Sequence, residues 1–428
     1  MLGRQQGNVP AAPAKAPAAV ASAPAAPAAP KAPAVTPPAS PAPSSPAAAK
    51  SPAPLRSGGF DPLSTDLKHP PVPAAAAGTA AATAPKGKFT HFRVGNRNVK
   101  AMFATGSQVW VGTSSGVIRY EVDKDDYKLF DVRNGSLLAN GVFHVGKVGN
   151  SIAVGTYGGG LSLFDPATEK WESFNIPQGL ADAFVYGVLQ ARNGDVWIAT
   201  WSGANRIVGG NLKDRSQWQT YTVENTGGGL PNDWVYGLAE GLNGDIWMAT
   251  EGGLALFREN TWQHWTHKEG VGAPYEKVKS QNEFDNDPSQ VSSHHARQKQ
   301  EQGLGEVTTA YNPNYIISLA VDSKGEVWAG TWGAGLAHFD GKTWTNQTKD
   351  DGLPSNHIFM LTLDDKDRLW VGSSGGLALR KPDGTFDVRT TTEGLFSNNV
   401  FSMTFSNDGS QWIGSYGGVA RIYPEAGK

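Results

Sequence analysis

"DDGLPSNHIFMLTLDDKDRLWVGSSGGLALRKPDGTF", residues 350–386, carries four short extended segments in 37 positions. An apolar segment opens at Ile358 and ends in the polar turn "LDDKDR" (363–368). A second carries Trp370, a glycine pair turns the chain again, and "GLALR" (376–380) forms a third. A fourth begins at Phe386. Alternating residues bounded by Gly, Asn and Asp mark strands joined by tight turns, and no helical period runs through the stretch.

The same unit recurs along the chain. Its openings are Val99, Val142, Val185, Val235, Ile316, Ile358 and Val400, followed eleven or twelve residues later by Trp110, Ala153, Trp197, Trp247, Trp328, Trp370 and Trp412. Four short strands per unit of about 42 residues is the pattern of a propeller blade. The expectation is an all-β, seven-bladed β-propeller over 87–428. The residue after each opening is mostly bulky and the next is often small, which suits packing between neighbouring blades. The seventh unit lacks a fourth strand, and "GKFTHFRVGN" (87–96) reads as a unit's ending without its beginning. Phe89 and Phe92 are therefore expected to complete the last blade and close the ring, each contributing roughly 1.5–3 kcal/mol by burial. Val235 and Ile316 lie 81 residues apart, where a step of 42 is usual, so 270–313 reads as a long, flexible polar loop insertion between blades four and five.

Composition sets further bounds. The chain of 428 residues has 37 basic and 39 acidic side chains and no cysteine. Near-neutral charge gives no electrostatic reason to expect nucleic acid as a partner, and disulfides or Cys-ligated metal are excluded. No run reaches the roughly 18 apolar residues of a membrane helix, and "MLGRQQGNVP" shows no signal peptide. Residues 1–86 are dominated by Ala and Pro and are expected to be a disordered spacer; within them, 56–73 reads as linker or as a short docking motif.

Residues 350–386, with "GGLPNDWVYGLAEGLNGDIWMATEGGLALF" (228–257) and "EGLFSNNVFSMTFSNDGSQWIGSYGGVARI" (393–422), resemble the two-component regulator propeller repeat, G-L-P-x-N, an apolar strand, then D-G-x-L-W-x-G-T-x-G-G-L. The resemblance covers about 88–428. It implies the extracytoplasmic sensing part of a bacterial signalling protein, often one that recognises polysaccharide breakdown products, and hence a periplasmic or cell-envelope location. The family commonly carries two rings and further signalling segments, which this sequence does not show, so a free-standing, monomeric recognition ring is expected.

In such a ring the turn after each second strand and the entry to each inner strand share one face around the central channel. The first set gives Tyr157, Trp201, Glu251, Trp332 and Tyr416; the second includes Phe184, Trp234, Tyr315, His357 and Asn399. Aromatic rings converging on one mouth suit stacking on a saccharide-like ligand, and equally suit packing or a protein partner. The repeat tryptophans are blade core. "TYGGGL" (156–161) and "TGGGL" (226–230) are turns, without the helix a phosphate loop needs. "LDDKDR" reads as a turn in preference to a calcium loop. His294 and His295 read as solvated loop residues. No metal or cofactor set stands out. Three functions stay open: a non-catalytic recognition module, a propeller lyase with His357 or Glu251 as base, and a protein-interaction scaffold.

Overall fold

The computed structural model of the chain describes residues 89–284 and 286–424. The segment 1–86, with its spacer and possible docking motif, lies outside the described residues. Strands and the tight turns that join them make up most of the described chain. In order the strands are β1 (Phe89–Thr105), β2 (Gln108–Thr113), β3 (Gly116–Glu121), β4 (Asp126–Phe130), β5 (Val142–Val148), β6 (Ser151–Thr156), β7 (Leu161–Asp165) and β8 (Lys170–Phe174). Next come β9 (Val185–Gln190), β10 (Val196–Thr200), β11 (Gly203–Ile207), β12 (Trp218–Tyr221), β13 (Val235–Glu240), β14 (Ile246–Thr250), β15 (Gly253–Arg258) and β16 (Thr261–Trp265). Two helices follow, α1 (Tyr275–Val278) and α2 (Ser293–Glu301). The last strands are β17 (Asn312–Val321), β18 (Val327–Trp332), β19 (Leu336–Phe339), β20 (Trp344–Gln347), β21 (Ile358–Leu363), β22 (Leu369–Ser373), β23 (Gly376–Arg380), β24 (Phe386–Arg389), β25 (Val400–Phe405) and β26 (Gln411–Ile422).

Five antiparallel sheets take four consecutive strands each, from β5–β8 to β21–β24. The sixth joins β25, β26, β1, β2, β3 and β4 in that order. The expected seven separate four-stranded sheets are thus found as five, plus one larger sheet. The cause is that β1 and β26 run on where other repeats break. Residues 89–93 of β1 pair with 418–422 of β26, while 99–105 pair with β2; residues 411–415 of β26 pair with β25.

The innermost strands β1, β5, β9, β13, β17, β21 and β25 contact one another in that order, and β25 contacts β1. Small residues on the second strands permit this approach. A Cβ added to Gly112 would meet Val142 Cγ1 at 2.6 Å, one on Gly330 would meet Ile358 Cγ2 at 2.7 Å, and one on Gly414 would meet Val99 Cγ1 at 2.6 Å. The last contact joins the C-terminal repeat to the N-terminal one. The Phe92 ring stacks on Trp412 with centroids 5.4 Å apart, and Thr90 Oγ1 lies 3.0 Å from Tyr423 Oη. Phe89 departs from expectation: it pairs with Ile422 but is 39% exposed, because its ring lies beside His91 on the outer strand.

The repeat tryptophans are buried, and in the last three repeats polar hairpin residues accept from the indole N–H. Trp328 Nε1 donates to Asp322 at 3.1 Å, Trp370 Nε1 to Asp364 at 3.0 Å, and Trp412 Nε1 to Ser406 at 2.8 Å. Asp364 also accepts from Arg368 Nε at 2.7 Å, so its oxygens in "LDDKDR" are committed to the turn.

Residues 270–313 differ from the flexible loop expected. They hold α1 and α2 and bury Val271, Ala273, Val278 and Tyr311. Lys299 Nζ meets Asp287 Oδ2 at 2.5 Å and donates to Thr309 O at 2.9 Å, with Lys299 and Asp287 both buried. Few apolar residues sit at a regular period here, so the order comes from scattered anchors and paired charges that no sequence pattern announces.

Candidate functional site

Each inner strand breaks register with its neighbour near its start. The break falls between Val99 and Ala101, Val142 and His144, Val235 and Gly237, Ile316 and Ser318, Ile358 and Met360, and Val400 and Ser402; β9 skips Tyr186 in the same way. A β-bulge re-aims the extra residue. The residues bypassed are Lys100, Phe143, Tyr186, Tyr236, Ile317, Phe359 and Phe401, and these seven line one cavity of about 90 Å³. The bulky position after each opening therefore forms a belt around the channel. The belt residues still pack across neighbouring inner strands, Phe143 on Tyr186 at 4.5 Å, Tyr186 on Tyr236 at 4.9 Å and Phe359 on Phe401 at 5.3 Å. The openings and the small second-strand residues pack between blades further out.

Above the belt the expected mouth residues gather in one aromatic cluster. Phe184 stacks on Trp201 at 4.2 Å, Trp201 on Trp234 at 4.3 Å with planes 3° apart, and Trp234 on His294 at 3.4 Å. Tyr157 meets Phe184 and Trp201 edge-on at 4.4 and 5.4 Å. Tyr315 stacks on Trp332 at 5.5 Å, and His357 stands perpendicular to Trp332 at 5.4 Å. Tyr416 packs against the same cluster and is half-buried. Asn399, also half-buried, has its Oδ1 enclosed without a hydrogen-bond partner.

The insertion covers part of this mouth. Phe284 lies 5.7 Å from Trp332 and 4.9 Å from His357, and Asn282 Nδ2 donates to Gly333 O at 3.0 Å. His357 Nε2 is 2.6 Å from Ala310 O. Glu251, Trp332, Tyr315 and His357 are consequently buried. Both faces of Trp201 and both of Trp234 are taken by other rings, so neither offers the open face expected for a ligand.

His294 and His295 are not solvated as the sequence suggested. On α2, which Ser292 caps through His295 N, His294 Nε2 sits 3.0 Å from Glu251 Oε2, and His295 Nδ1 sits 2.5 Å from Oε1. Burial alone pushes the Glu251 carboxyl up, but the hydrogen bonds and charge of the two imidazoles outweigh it and hold it below the ordinary range. Burial lowers the His357 pKa to about 4, despite the bond to Ala310. Glu251 is thus engaged by both imidazoles and by Tyr236 Oη, which donates to Oε2 at 3.4 Å, and His357 is neutral at pH 7. Sequence spacing held no signal for the Glu251 pair, because 43 residues separate Glu251 from His294. Among the described residues no three potential ligands converge on a metal position, and no helix is long and apolar enough to cross a membrane.

The two-component regulator propeller pattern matches residues 179–202, 310–333 and 352–375. The fold is similar to the extracellular domain of the hybrid two-component system BT3049 from B. thetaiotaomicron, with a TM-score of 0.58 and 17% identity over 78% of this chain. This chain spans 42% of that one. It is also similar to virginiamycin B lyase from Staphylococcus aureus, at TM-score 0.53 and 9% identity over 79% of this chain and 99% of the other. A structure of YCF48 bound to D1 peptide gives a TM-score of 0.52 and 12% identity over 80% and 97% of the two chains. At these identities the likeness is one of fold. Comparison with curated proteins finds no match. By its fold and these matched repeats, the chain is a β-propeller carrying two-component regulator propeller repeats.

Proposed function

We propose that this protein is a non-catalytic, sensor-type recognition ring of seven blades, located in the cell envelope, that binds a saccharide-like ligand at its mouth. The seven-bladed count is supported by the closed circle of seven inner strands, with the six-stranded sheet serving two repeats through the divided pairing of β1 and β26. The recognition reading rests on one observation above others: the mouth residues cluster on one face of a ring with sensor-type repeats, while the candidate bases Glu251 and His357 are buried and bonded. A general base needs reach to its proton, and both are turned to structural partners.

The ligand would meet the sector that the insertion leaves open, where Tyr157 and Tyr416 are half-buried and Trp201 shows an edge. A polypeptide ligand is the second reading. It is favoured by the occupied ring faces, which leave edges and grooves in place of flat stacking platforms, and the similar YCF48 ring is described as bound to a peptide. A glycan array run beside a partner pull-down separates the two. Glycan binding lost in Tyr157→Ala and Tyr416→Ala supports the first reading. Binding indifferent to both substitutions removes the site, and capture of a polypeptide without glycan binding transfers it to the second reading.

A further inference from the structure

Beneath the belt lies a second cavity of about 210 Å³, which shares Tyr186, Tyr236 and Phe359 with it. Its walls are the inner strands β5, β9, β13, β17 and β21, each of which stands at the end of its sheet and pairs on one side only. The free edge of such a strand carries N–H and C=O groups that the sheet does not use. The chamber therefore has a polar lining, although Leu319, Met360 and Leu361 are among its residues.

Its width comes from two glycines. Two positions past the opening, β5, β17 and β21 carry His144, Ser318 and Met360, while β9 and β13 carry Gly187 and Gly237. Elsewhere in the ring glycine answers a close approach, as at Gly155, where a Cβ would meet Val185 at 2.8 Å. At Gly187 and Gly237 a Cβ would meet nothing nearer than 3.5 Å, an ordinary contact with Ala199 and Ala249 opposite. Packing demands glycine at neither position, and the space beside them is left open.

Two polar side chains of this wall are unmet. Ser318, only 9% exposed, rests its Oγ against Gly330, and His144 Nε2 lies over Gly146. Both atoms are enclosed and have no hydrogen-bond partner among the described residues. Ser402, at the same place on β25, rests on Gly414 in the same way but donates to Val99 O at 2.8 Å, so an unmet hydroxyl is not a consequence of the position. Buried polar atoms are almost always paired, and a serine hydroxyl has other staggered wells to turn into. The titratable groups that line the chamber are uncharged at pH 7, because burial lowers the His144 pKa to about 4 and raises those of Tyr186 and Tyr236. An ion would give up its water for a lining that offers no counter-charge.

We propose that the chamber binds a small uncharged molecule with an apolar ring and a hydroxyl group, the ring beneath Tyr186, Tyr236 and Phe359 and the hydroxyl on Ser318, turned from Gly330 into the space. A cavity of about 150 Å³ is enough for benzene, so a ring bearing a hydroxymethyl group fits this one. The site lies below the mouth and is independent of the ligand proposed there, so either can fail alone.

The test is saturation-transfer NMR of the full chain with benzyl alcohol, beside its charged counterparts benzoate and benzylammonium and the hydroxyl-free toluene. Saturation should pass to benzyl alcohol and to neither ion. Ser318→Ala should raise the Kd of benzyl alcohol about fivefold, the worth of one hydrogen bond, and leave that of toluene unchanged. Gly237→Met, which places on β13 the residue that β21 carries there, should fill the chamber and abolish the transfer, whereas Tyr157→Ala at the mouth should not alter it. No transfer to benzyl alcohol, equal transfer to either ion, a Kd unmoved by Ser318→Ala, or undiminished transfer in folded Gly237→Met overturns the proposal. Should Gly237→Met not fold, the comparison of alcohol with ions on the unaltered chain and the Ser318→Ala shift decide it.

Discussion

Glu251 and Tyr157 occupy the same place in their repeats, just past the second strand, yet one is sealed and the other half-open. Around Glu251, Trp332 and His357 the insertion supplies ring contacts, two imidazoles and a set of amide bonds. These include Asn356 Nδ2 to Gln281 at 3.0 Å and Asn232 Nδ2 to Gln298 at 3.1 Å. Around Tyr157 the ring contacts come from Phe143, Phe184 and Trp201 of the strands and turns themselves. The repeat decides where a residue stands. A segment outside the repeat decides whether that residue meets solvent.

Both sectors presuppose a closed ring, so the largest effect should come from opening it. Removing 1–86 is expected to leave the melting temperature unchanged, while removing 1–97 takes away the Phe89–Arg93 ladder and the Phe92–Trp412 stack and should lower it sharply. Phe92→Ala alone should cost about 3 kcal/mol in denaturant titration. Equal melting of the two truncations would break the comparison at its base.

The covered sector can be broken by itself. Asp287→Ala leaves Lys299 buried without its counter-charge, at a cost of about 3–5 kcal/mol. That loss should fall on the insertion, so limited proteolysis within 275–303 should accelerate while the ring keeps its melting temperature.

Acid should act in two stages. His144 and His357 both have pKa values lowered by burial to about 4 from 6.5, so the unfolded chain binds more protons than the folded one between those values. Stability is therefore full above pH 6.5 and declines as pH falls toward 4, by up to roughly 3 kcal/mol per histidine. The depressed Glu251 carboxyl adds its own loss only below its ordinary value of 4.5. Replacing His144, whose Nε2 has no partner, with Leu should flatten the upper stage in a pH series of denaturant titrations.

The smallest stability effect belongs to the open sector. Tyr157→Ala and Tyr416→Ala should each cost about 1 kcal/mol or less, yet abolish ligand retention if that sector is the binding face.

Much of the ring was legible because seven openings and six tryptophans repeat a local rule, and Gly414 against Val99 shows the rule extending across the closure. The belt was half legible. Bulky residues after the openings were visible, but a bulge reverses which way they point, and bulges leave no mark in alternation. The cover was illegible for a different reason. Its anchors are single long-range pairs, such as His295 with Glu251 and Asn282 with Gly333, which carry no period.

Hydrogen exchange of the full chain tests the divided mouth most directly. Amides of α2 should exchange slowly in the unaltered protein, and Glu251→Gln, which weakens the grip of His294 and His295, should accelerate them selectively while β9, β13 and β21 stay protected. Exchange of α2 at the rate of an unstructured peptide in the unaltered protein, or a Glu251→Gln effect spread evenly through the ring, would contradict a folded cover seated on one side of the channel.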